Sequence, residues 1–214
     1  PGISATNPGI LVAVVGLVLV LGGEGYDAIT ADNQRSMSRS VTDRDRIDSR
    51  LILLGLLVVV SLPLLSVMML PSGTTDMGVL ASDSPAPDDP AQVAPGNFSE
   101  ANVTLQNGQP VPMVILVEPA SDGIEVVDRM HIAGAGEAVS AKVQVYAPET
   151  TGWAVRVRST QYYLPLLPPT LISGLHALHP VIALTAVMSV VWIPITLVYW
   201  FVVGFGYITL RDVS

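Results

Sequence analysis

Residues 51–70 read LILLGLLVVVSLPLLSVMML, a run without a single charged side chain. The hydrocarbon core of a bilayer is crossed by roughly 20 helical residues, so this run predicts a transmembrane helix over residues 51–70. A second uncharged run, over residues 180–208, is longer than a crossing needs and predicts a tilted helix. Its aromatic side chains are expected near the membrane interfaces: Trp192, Tyr199, Trp200 and Tyr207.

A third apolar stretch, Ile10–Gly23, reads ILVAVVGLVLVLGG and reaches crossing length only with part of the uncharged residues before it. It predicts a first spanning helix within residues 1–23, with a buried core helix or a signal peptide as the alternatives. A cleaved signal is disfavoured because no basic segment precedes the stretch, and Pro1 has the character of an internal position. The chain is therefore predicted to have two or three transmembrane helices.

The loop over residues 24–50 carries five of the ten basic residues. These are Arg35, Arg39, Arg44, Arg46 and Arg50. The positive-inside rule predicts that this loop and the tail, residues 209–214, are cytoplasmic. Residues 71–163 are then extracellular, in a multi-pass protein of the cell membrane. Acidic residues interleave with the arginines, which favours a solvated connector or short helix over a lipid-headgroup or partner site.

The composition is acidic, with a net charge of -8 and a single lysine, Lys142. A carboxylate-rich surface with little lysine is typical of proteins that work in multimolar salt, so we expect a halophilic and archaeal source. The acidity argues against nucleic acid as a partner. No cysteine is present, which excludes disulfides, thiolate metal sites and cysteine nucleophiles.

Between the long apolar runs the pattern changes to short alternating segments separated by turn signals such as Asn107-Gly108. The predicted strands are Met77–Ala81, Phe98–Gln106, Val111–Glu118, Ile124–Val127, Met130–Ile132, Ala138–Tyr146 and Trp153–Tyr162. A proline-rich run, SDSPAPDDPAQVAPG, is expected to be an exposed loop. Six or seven strands at this spacing predict an immunoglobulin-like β-sandwich over residues 71–163, with a β-barrel as the competing fold.

Alternation also assigns the faces of the predicted strands. Within residues 138–146, Lys142 and Gln144 point one way and four apolar side chains point the other: Val139, Ala141, Val143 and Val145. We therefore expect an aliphatic core, with Trp153 and Phe98 as its bulky members.

The segment over residues 164–179 is apolar and precedes the last predicted span. We expect it to lie at the membrane interface, with Tyr162 and Tyr163 in the headgroup layer. Membrane lipid is thus a predicted partner.

Two sequons fall in the segment predicted to be extracellular, Asn97-Phe98-Ser99 and Asn102-Val103-Thr104. They predict N-glycosylation at Asn97 and Asn102, with unmodified surface asparagines as the alternative.

No catalytic constellation is found in the sequence. Ser36-Met37 is similar to the Ser-Met pair of signal peptidases but lies in the predicted cytoplasmic loop, and Lys142, the partner that a Ser-Lys dyad would need, is expected to be a surface charge. His131 could pair with Asp128 or Glu125, but no nucleophile accompanies it, so a sheet histidine is favoured.

Metal and phosphate sites are not indicated either. His176 and His179 lack a third ligand, which favours a core, capping or headgroup role. The acidic residues Asp83, Asp88 and Asp89 are expected to be solvated, and residues 134–136, Gly-Ala-Gly, form a turn without a following helix. The two long apolar runs carry no charged groups for an ion pathway, which disfavours a transporter or channel. We predict no catalytic, cofactor-binding or metal-binding residue, and no cofactor.

Three stretches resemble the region that follows the protease domain in haloarchaeal proteins of the signal peptidase I family. They read PSGTTDMGVLASDSP, NGQPVPMVILVEPASDGIEV and YAPETTGWAVRVRSTQYYLPLLPPTLISGLHALHP. The resemblance covers residues 51–214 and implies a membrane-anchored β-domain. The nucleophile segment Ser-Met-x-Pro and the downstream His and Asp motifs of that family are absent, so no catalytic residue is carried over. The chain would be the non-catalytic C-terminal region or a relative that lost the peptidase.

The function that these features favour is a membrane-anchored ectodomain with a structural or partner-docking role in a haloarchaeal envelope. Its expected partner is an envelope protein or another copy of the chain. Two alternatives stay open. One is the anchoring or substrate-presenting region of a signal peptidase-like serine protease, and the other is a structural protein of a haloarchaeal virus or cell envelope.

Overall fold

A computed structural model of the chain describes residues 46–86, 88–89, 91–203 and 207–209. The predicted first span (residues 1–23), the loop up to residue 45, Ser36-Met37 and the tail after residue 209 lie outside the described residues. The described residues fall into two compact units, one within Leu64–Val190 and the other made of those up to Pro63 and those from Val191 onward.

The described elements combine helices and strands in a mixed α+β fold. The helices are α1 (Ser49–Met69), α2 (Pro169–Leu178) and α3 (Pro180–Val203). The strands are β1 (Arg46–Asp48), β2 (Gly73–Ala81), β3 (Gln92–Val93), β4 (Phe98–Gln106), β5 (Met113–Pro119), β6 (Ile124–Val126), β7 (Met130–Ala133), β8 (Ala138–Tyr146), β9 (Gly152–Tyr163) and β10 (Tyr207–Thr209).

The helices α1 and α3 are each long and apolar enough to cross a membrane. Apolar side chains surround both helices and many of them are exposed, including Phe201, which is 91% exposed. An exposed helix that is apolar on all sides suits a lipid environment better than water. Each helix contains a proline, Pro63 in α1 and Pro194 in α3.

The last predicted span is shorter in the structure than in the sequence. The helix ends at Val203, and residues 207–209 instead form a strand that pairs antiparallel with Arg46–Asp48. The sequence after Val203 contains Gly204 and Gly206. Glycine is less favourable than alanine in a helix by about 1 kcal/mol. Backbone hydrogen bonds to β1 stabilise the extended conformation of residues 207–209 instead.

Two sheets form the β-domain, which we define as residues 73–163. The first has five strands in the order β3-β2-β9-β5-β7, and the second has three strands in the order β4-β8-β6. The predicted strands are all present, and Phe98–Gln106 and Ala138–Tyr146 match their predicted bounds. The strand β2 begins four residues earlier than predicted because Gly73–Asp76 pair with β9, a contact that alternation does not reveal.

The core of the β-domain lies between the two sheets. It joins side chains of β2 to side chains of β6, β8 and the following residue: Val79, Ala81, Ile124, Val143, Val145 and Ala147. The predicted alternation of β8 is confirmed, since Ala141, Val143 and Val145 are buried and Lys142 is exposed.

The aromatic members predicted for this core are placed differently. Trp153 is 62% exposed and Phe98 is 44% exposed. Trp153 lies opposite Leu80 in the β2–β9 pair, so both side chains project away from the core face that carries Val79. Phe98 packs instead on Tyr146, with ring centroids 5.4 Å apart. The period-two pattern identified the strands correctly, but the prediction that Trp153 and Phe98 belong to the core is wrong.

Candidate functional site

The end of the β-domain that leads into α2 contains a polar cluster with two buried side chains, His176 and Tyr163. In the β5–β9 pair Val114 lies opposite Tyr163, and Glu118 lies opposite Ser159. Directly opposed residues share a face, so Glu118 and Tyr163 project from the sheet face that points away from the inter-sheet core. The helix α2 brings His176 to these two side chains. We call His176, Tyr163, Glu118 and the carbonyl of Pro180 the α2 network.

The geometry of the α2 network centres on the imidazole. His176 Nδ1 is 2.7 Å from the phenolic oxygen of Tyr163, and the two rings meet edge to face with centroids 5.6 Å apart. His176 Nε2 is 3.1 Å from Glu118 Oε2, but the groups are not aligned for a hydrogen bond. His176 and Tyr163 are buried, whereas the Glu118 side chain is half-exposed.

The phenol of Tyr163 links the helix to the start of α3. Burial raises the pKa of Tyr163 above its ordinary value, and the nearby Glu118 carboxylate adds to the effect. The hydroxyl therefore stays protonated at neutral pH. It donates to the carbonyl of Pro180 at 3.4 Å and can accept from His176 Nδ1–H at the same time.

The α2 network is suited to positioning rather than to catalysis. A general base must reach a substrate, and the imidazole and the phenol are both covered by protein. In the part of the chain that the structure describes, no group of three or more His, Cys, Asp or Glu side chains is arranged to hold a metal ion. What the network does is attach α2 and the first residue of α3 to the five-stranded sheet.

The opposite face of β9 carries a second buried polar group, Arg158. Its Nη1 donates to Thr160 Oγ1 at 2.7 Å, and its Nε has no hydrogen-bond partner among the described residues. Burial lowers the pKa of this guanidinium. A buried cation without a carboxylate is unfavourable for stability.

The N-terminal end of β9 carries an exposed apolar surface. Trp153 and Val155 are both at least half exposed, and they lie opposite Leu80 and Gly78 of β2 on one sheet face. A Cβ atom on Gly78 would be 2.1 Å from Cζ2 of Trp153, so the indole lies directly over this glycine. We call Trp153, Val155, Leu80 and Gly78 the distal patch.

Several residues singled out in the sequence occupy ordinary structural positions. Lys142 pairs with Glu100 at 2.6 Å on the surface, and this pair lowers the pKa of Glu100. His131 Nε2 is 2.9 Å from the backbone oxygen of Asp128 rather than from a carboxylate. These contacts confirm a surface charge and a sheet histidine.

The remaining predicted positions are also accounted for. Residues 134–136 form a turn, with Glu137 N–H donating to Gly134 O at 3.1 Å. The carboxylate of Asp89 accepts from Ala91 N–H at 2.9 Å, within its own loop. Asn97 and Asn102 are both exposed, as an acceptor must be, and their glycosylation stays a prediction.

The two histidines of the apolar segment have different roles. His176 is buried in the α2 network, as the core interpretation predicted. His179 is exposed at the end of α2, and its Nδ1 accepts from Val181 N–H at 3.2 Å. The tyrosines expected in the headgroup layer are instead buried: Tyr163 contacts His176, and Tyr162 OH donates to Gln106 O at 3.3 Å.

Three polar residues with structural roles were missed in the sequence. Glu118 and Arg158 are charged residues on strands, which pattern analysis assigns to solvent. Asn107 was interpreted only as a turn residue, yet its side chain is fully buried. Its Nδ2 donates to the carbonyls of Val111 and Gly134 at 2.8 and 2.7 Å. The Asn-Gly pair predicts a turn whether the asparagine side chain is buried or exposed, so its burial could not be read from the sequence.

Comparison with known proteins identifies no family for this chain. No protein-family model matches the chain, and no curated protein matches it. Among solved structures the chain is similar to a crystal structure of the YadV chaperone, with 14% sequence identity over 43% of this chain, 51% of that chain and a TM-score of 0.23. The chain thus spans about half the length of that chaperone.

Proposed function

We propose that the chain is a membrane-anchored ectodomain that docks another envelope component through the distal patch. The observation that carries the proposal is Trp153, a tryptophan that is 62% exposed on a sheet face and held over Gly78. Tryptophan is enriched among the residues that dominate binding energy at protein interfaces.

Membrane anchoring is supported by the two long apolar helices, α1 and α3. They are joined by polar contacts: Trp192 Nε1 donates to Ser61 Oγ at 2.8 Å, and Tyr199 OH donates to Ser49 O at 2.6 Å. Hydrogen bonds between helices are favoured inside a bilayer, where water offers no alternative partner.

The proposed orientation is supported by the arginines that precede α1, because the positive-inside rule favours the cytoplasm for that side. The β-domain between α1 and α3 then lies outside the cell, as an immunoglobulin-like sandwich. Protease added to sealed, right-side-out cells should cut within residues 71–163 and leave residues 24–50 intact. Cleavage within residues 24–50 with residues 71–163 intact would show the opposite topology and contradict the proposal.

The position of the distal patch also suits docking. Trp153 lies ten residues before Tyr163, where β9 ends, which corresponds to about 33 Å of extended strand. The patch is thus at the end of β9 that is far from α2. A partner that extends from another membrane anchor or from the cell-surface layer could reach it there.

The docking test uses the absence of native cysteine. Single-cysteine variants Val155→Cys and Lys142→Cys, which both keep Trp153, are produced in the source membrane, labelled with a benzophenone maleimide and irradiated. Lys142 is the matched control because it is exposed on the other sheet. We expect a covalent adduct of discrete mass from position 155 and none from position 142.

A second substitution distinguishes specific docking from nonspecific hydrophobic association. Gly78→Leu would displace the indole from its position over β2, so it should reduce the yield of the adduct formed by a Val155→Cys variant at least tenfold. An adduct of two chains would identify another copy as the partner. Equal yields at positions 155 and 142, or no adduct at either, would contradict docking through this surface.

A further inference from the structure

The helix α2 has two chemically different faces. Ile172 and His176 are buried, and they lie one turn apart on the face that meets the sheet. Leu171, Leu175 and Leu178 follow the i, i+4, i+7 spacing of a second face. Leu171 is 46% exposed and Leu178 is 73% exposed. We call these three residues the leucine flank.

The direction of the leucine flank is set by contacts at both sides of α2. On the sheet side the α2 network holds His176 against Tyr163. At the C-terminal end His179 alone separates α2 from α3, in an extended conformation. Its N–H donates to Leu175 O at 3.1 Å, and its carbonyl accepts from Ile182 N–H at 3.0 Å. The flank therefore cannot turn independently of the start of α3.

The chain segment that contains the flank is uncharged. No Asp, Glu, Lys or Arg occurs between Ser159 and Val203, a range that includes all of α2 and α3. A docking surface for a soluble protein usually has a polar or charged rim. An apolar helix face that continues directly into a membrane-length helix has the composition of a surface that meets lipid.

We infer that the leucine flank inserts into the outer boundary of the bilayer, between headgroups and acyl chains. This inference rests on the proposed membrane anchoring, and it assigns the lipid contact that the sequence predicted for residues 164–179 to one face of α2. The helix α2 thus has two contacts. One face is attached to the sheet through the α2 network, and the neighbouring face inserts into lipid. The β-domain is thereby given a defined orientation above the membrane.

The experiment measures depth with spin labels on single-cysteine variants of the full chain, reconstituted in nanodiscs of an anionic and zwitterionic lipid mixture. The flank positions are Leu171→Cys and Leu178→Cys. The matched controls are Thr170→Cys and Ala177→Cys, which are exposed on a different face of the same helix. We expect the ratio of oxygen to nickel-chelate accessibility to be at least about threefold higher at 171 and 178 than at 170 and 177.

Two reference positions separate the failure of this inference from the failure of the proposed function. Phe201→Cys on α3 should be accessible to oxygen alone, and Lys142→Cys on β8 should be accessible to both reagents. Water-like accessibility at 201 would contradict the membrane anchoring itself. Lipid-like accessibility at 201 with water-like accessibility at 171 and 178 would overturn only the insertion of the flank.

A third result would also overturn the inference. If 171 and 178 are shielded from both reagents, protein rather than lipid covers the flank, and crosslinking would show whether a second copy does so. Each variant must retain the wild-type thermal transition before its label is interpreted. Should one flank variant not fold, the other carries the test together with the emission maximum of a fluorescent label at the same position.

Discussion

At the scale of single residues, the contact between Tyr163 and His176 is the one most closely tied to the proposed role of α2. The imidazole is buried, and its Nδ1 has the phenol at 2.7 Å as its partner. Removing one partner of a buried hydrogen bond leaves the other unsatisfied, which costs about 1–3 kcal/mol. This makes the network testable by conservative changes.

Tyr163→Phe should lower the free energy of unfolding of the β-domain by about 1–3 kcal/mol, because His176 and the Pro180 carbonyl both lose a partner. Denaturant unfolding of the full chain in detergent, followed by near-ultraviolet circular dichroism, measures the change. The matched control is Tyr146→Phe, whose hydroxyl contacts Glu125 at 3.3 Å on the surface. Equal losses in the two variants would contradict a special role for the α2 network.

The same tyrosine predicts a response to alkaline pH. Its folded pKa is raised by burial, so the stability that it contributes is fully present below its unfolded value of about 10 and is lost as pH rises through the folded value. Unfolding midpoints should therefore fall above about pH 10, and less steeply in Tyr163→Phe. Part of the fall should persist in the variant, because burial raises the pKa of Tyr162 as well. Identical slopes would show that Tyr163 does not contribute.

Arg158 gives a prediction of the opposite sign. Its guanidinium is buried, and its Nε has no partner among the described residues. Arg158→Met should leave the free energy of unfolding unchanged or raise it by about 1 kcal/mol, since an apolar side chain of similar length fills the space without an unpaired charge. The same denaturant series measures it, and a loss of more than about 2 kcal/mol would show that the guanidinium stabilises the fold.

At the scale of elements, the coupling of α1 and α3 depends on side chains that hydropathy treats as neutral. Ser61 Oγ accepts from Trp192 Nε1 at 2.8 Å and donates to Leu57 O at 2.6 Å. In the proposed membrane environment, apolar surface alone gives little preference for a helix partner, because the lipid is equally apolar. The polar pair therefore gives these helices a specific register.

A double-mutant cycle of Ser61→Ala and Trp192→Phe should give a coupling of about 0.6 kcal/mol, the usual size of a hydrogen bond between membrane helices. Steric trapping or detergent unfolding measures the four species. The pair Thr185 and Ser189, in which Ser189 Oγ donates to Thr185 O within one helix, serves as the comparison and should show no coupling between helices. Additive effects of Ser61→Ala and Trp192→Phe would contradict the interhelical bond.

At the scale of the whole molecule, the net charge of -8 predicts dependence on salt. Like charges on a compact domain repel one another, and salt screens the repulsion within a few ångströms at molar concentration. The thermal midpoint of the β-domain should rise by at least 10 °C, roughly, between 0.2 and 3 M KCl. Differential scanning fluorimetry measures it, with sucrose at equal water activity as the control. A midpoint that does not change would remove the argument for a halophilic source.

The resemblance to the region after the protease domain of signal peptidase I-like proteins stays a prediction at this scale, since no family model matches the chain. The proposal of docking through the distal patch does not depend on the resemblance.

The sequence by itself determined the long apolar helix over residues 51–70 and seven of the eight strands of the β-domain. The eighth, β3 (Gln92–Val93), lies in the proline-rich run that was predicted to be an exposed loop. Runs without charge and period-two alternation are local properties, and the physical forces behind them act over a few residues. The bounds of β4 and β8 were predicted correctly for this reason, as was the burial of Val143 and Val145.

Only the tertiary structure decided which polar and aromatic side chains are buried. Trp153 and Tyr163 stand ten positions apart on the same strand and the same face, yet one is exposed and the other is covered by α2. Periodicity reports the face of a strand but not what is packed on it. The α2 network and the distal patch depend on contacts between segments far apart in the chain, such as Glu118 with His176 and Gly78 with Trp153, and no local pattern records these.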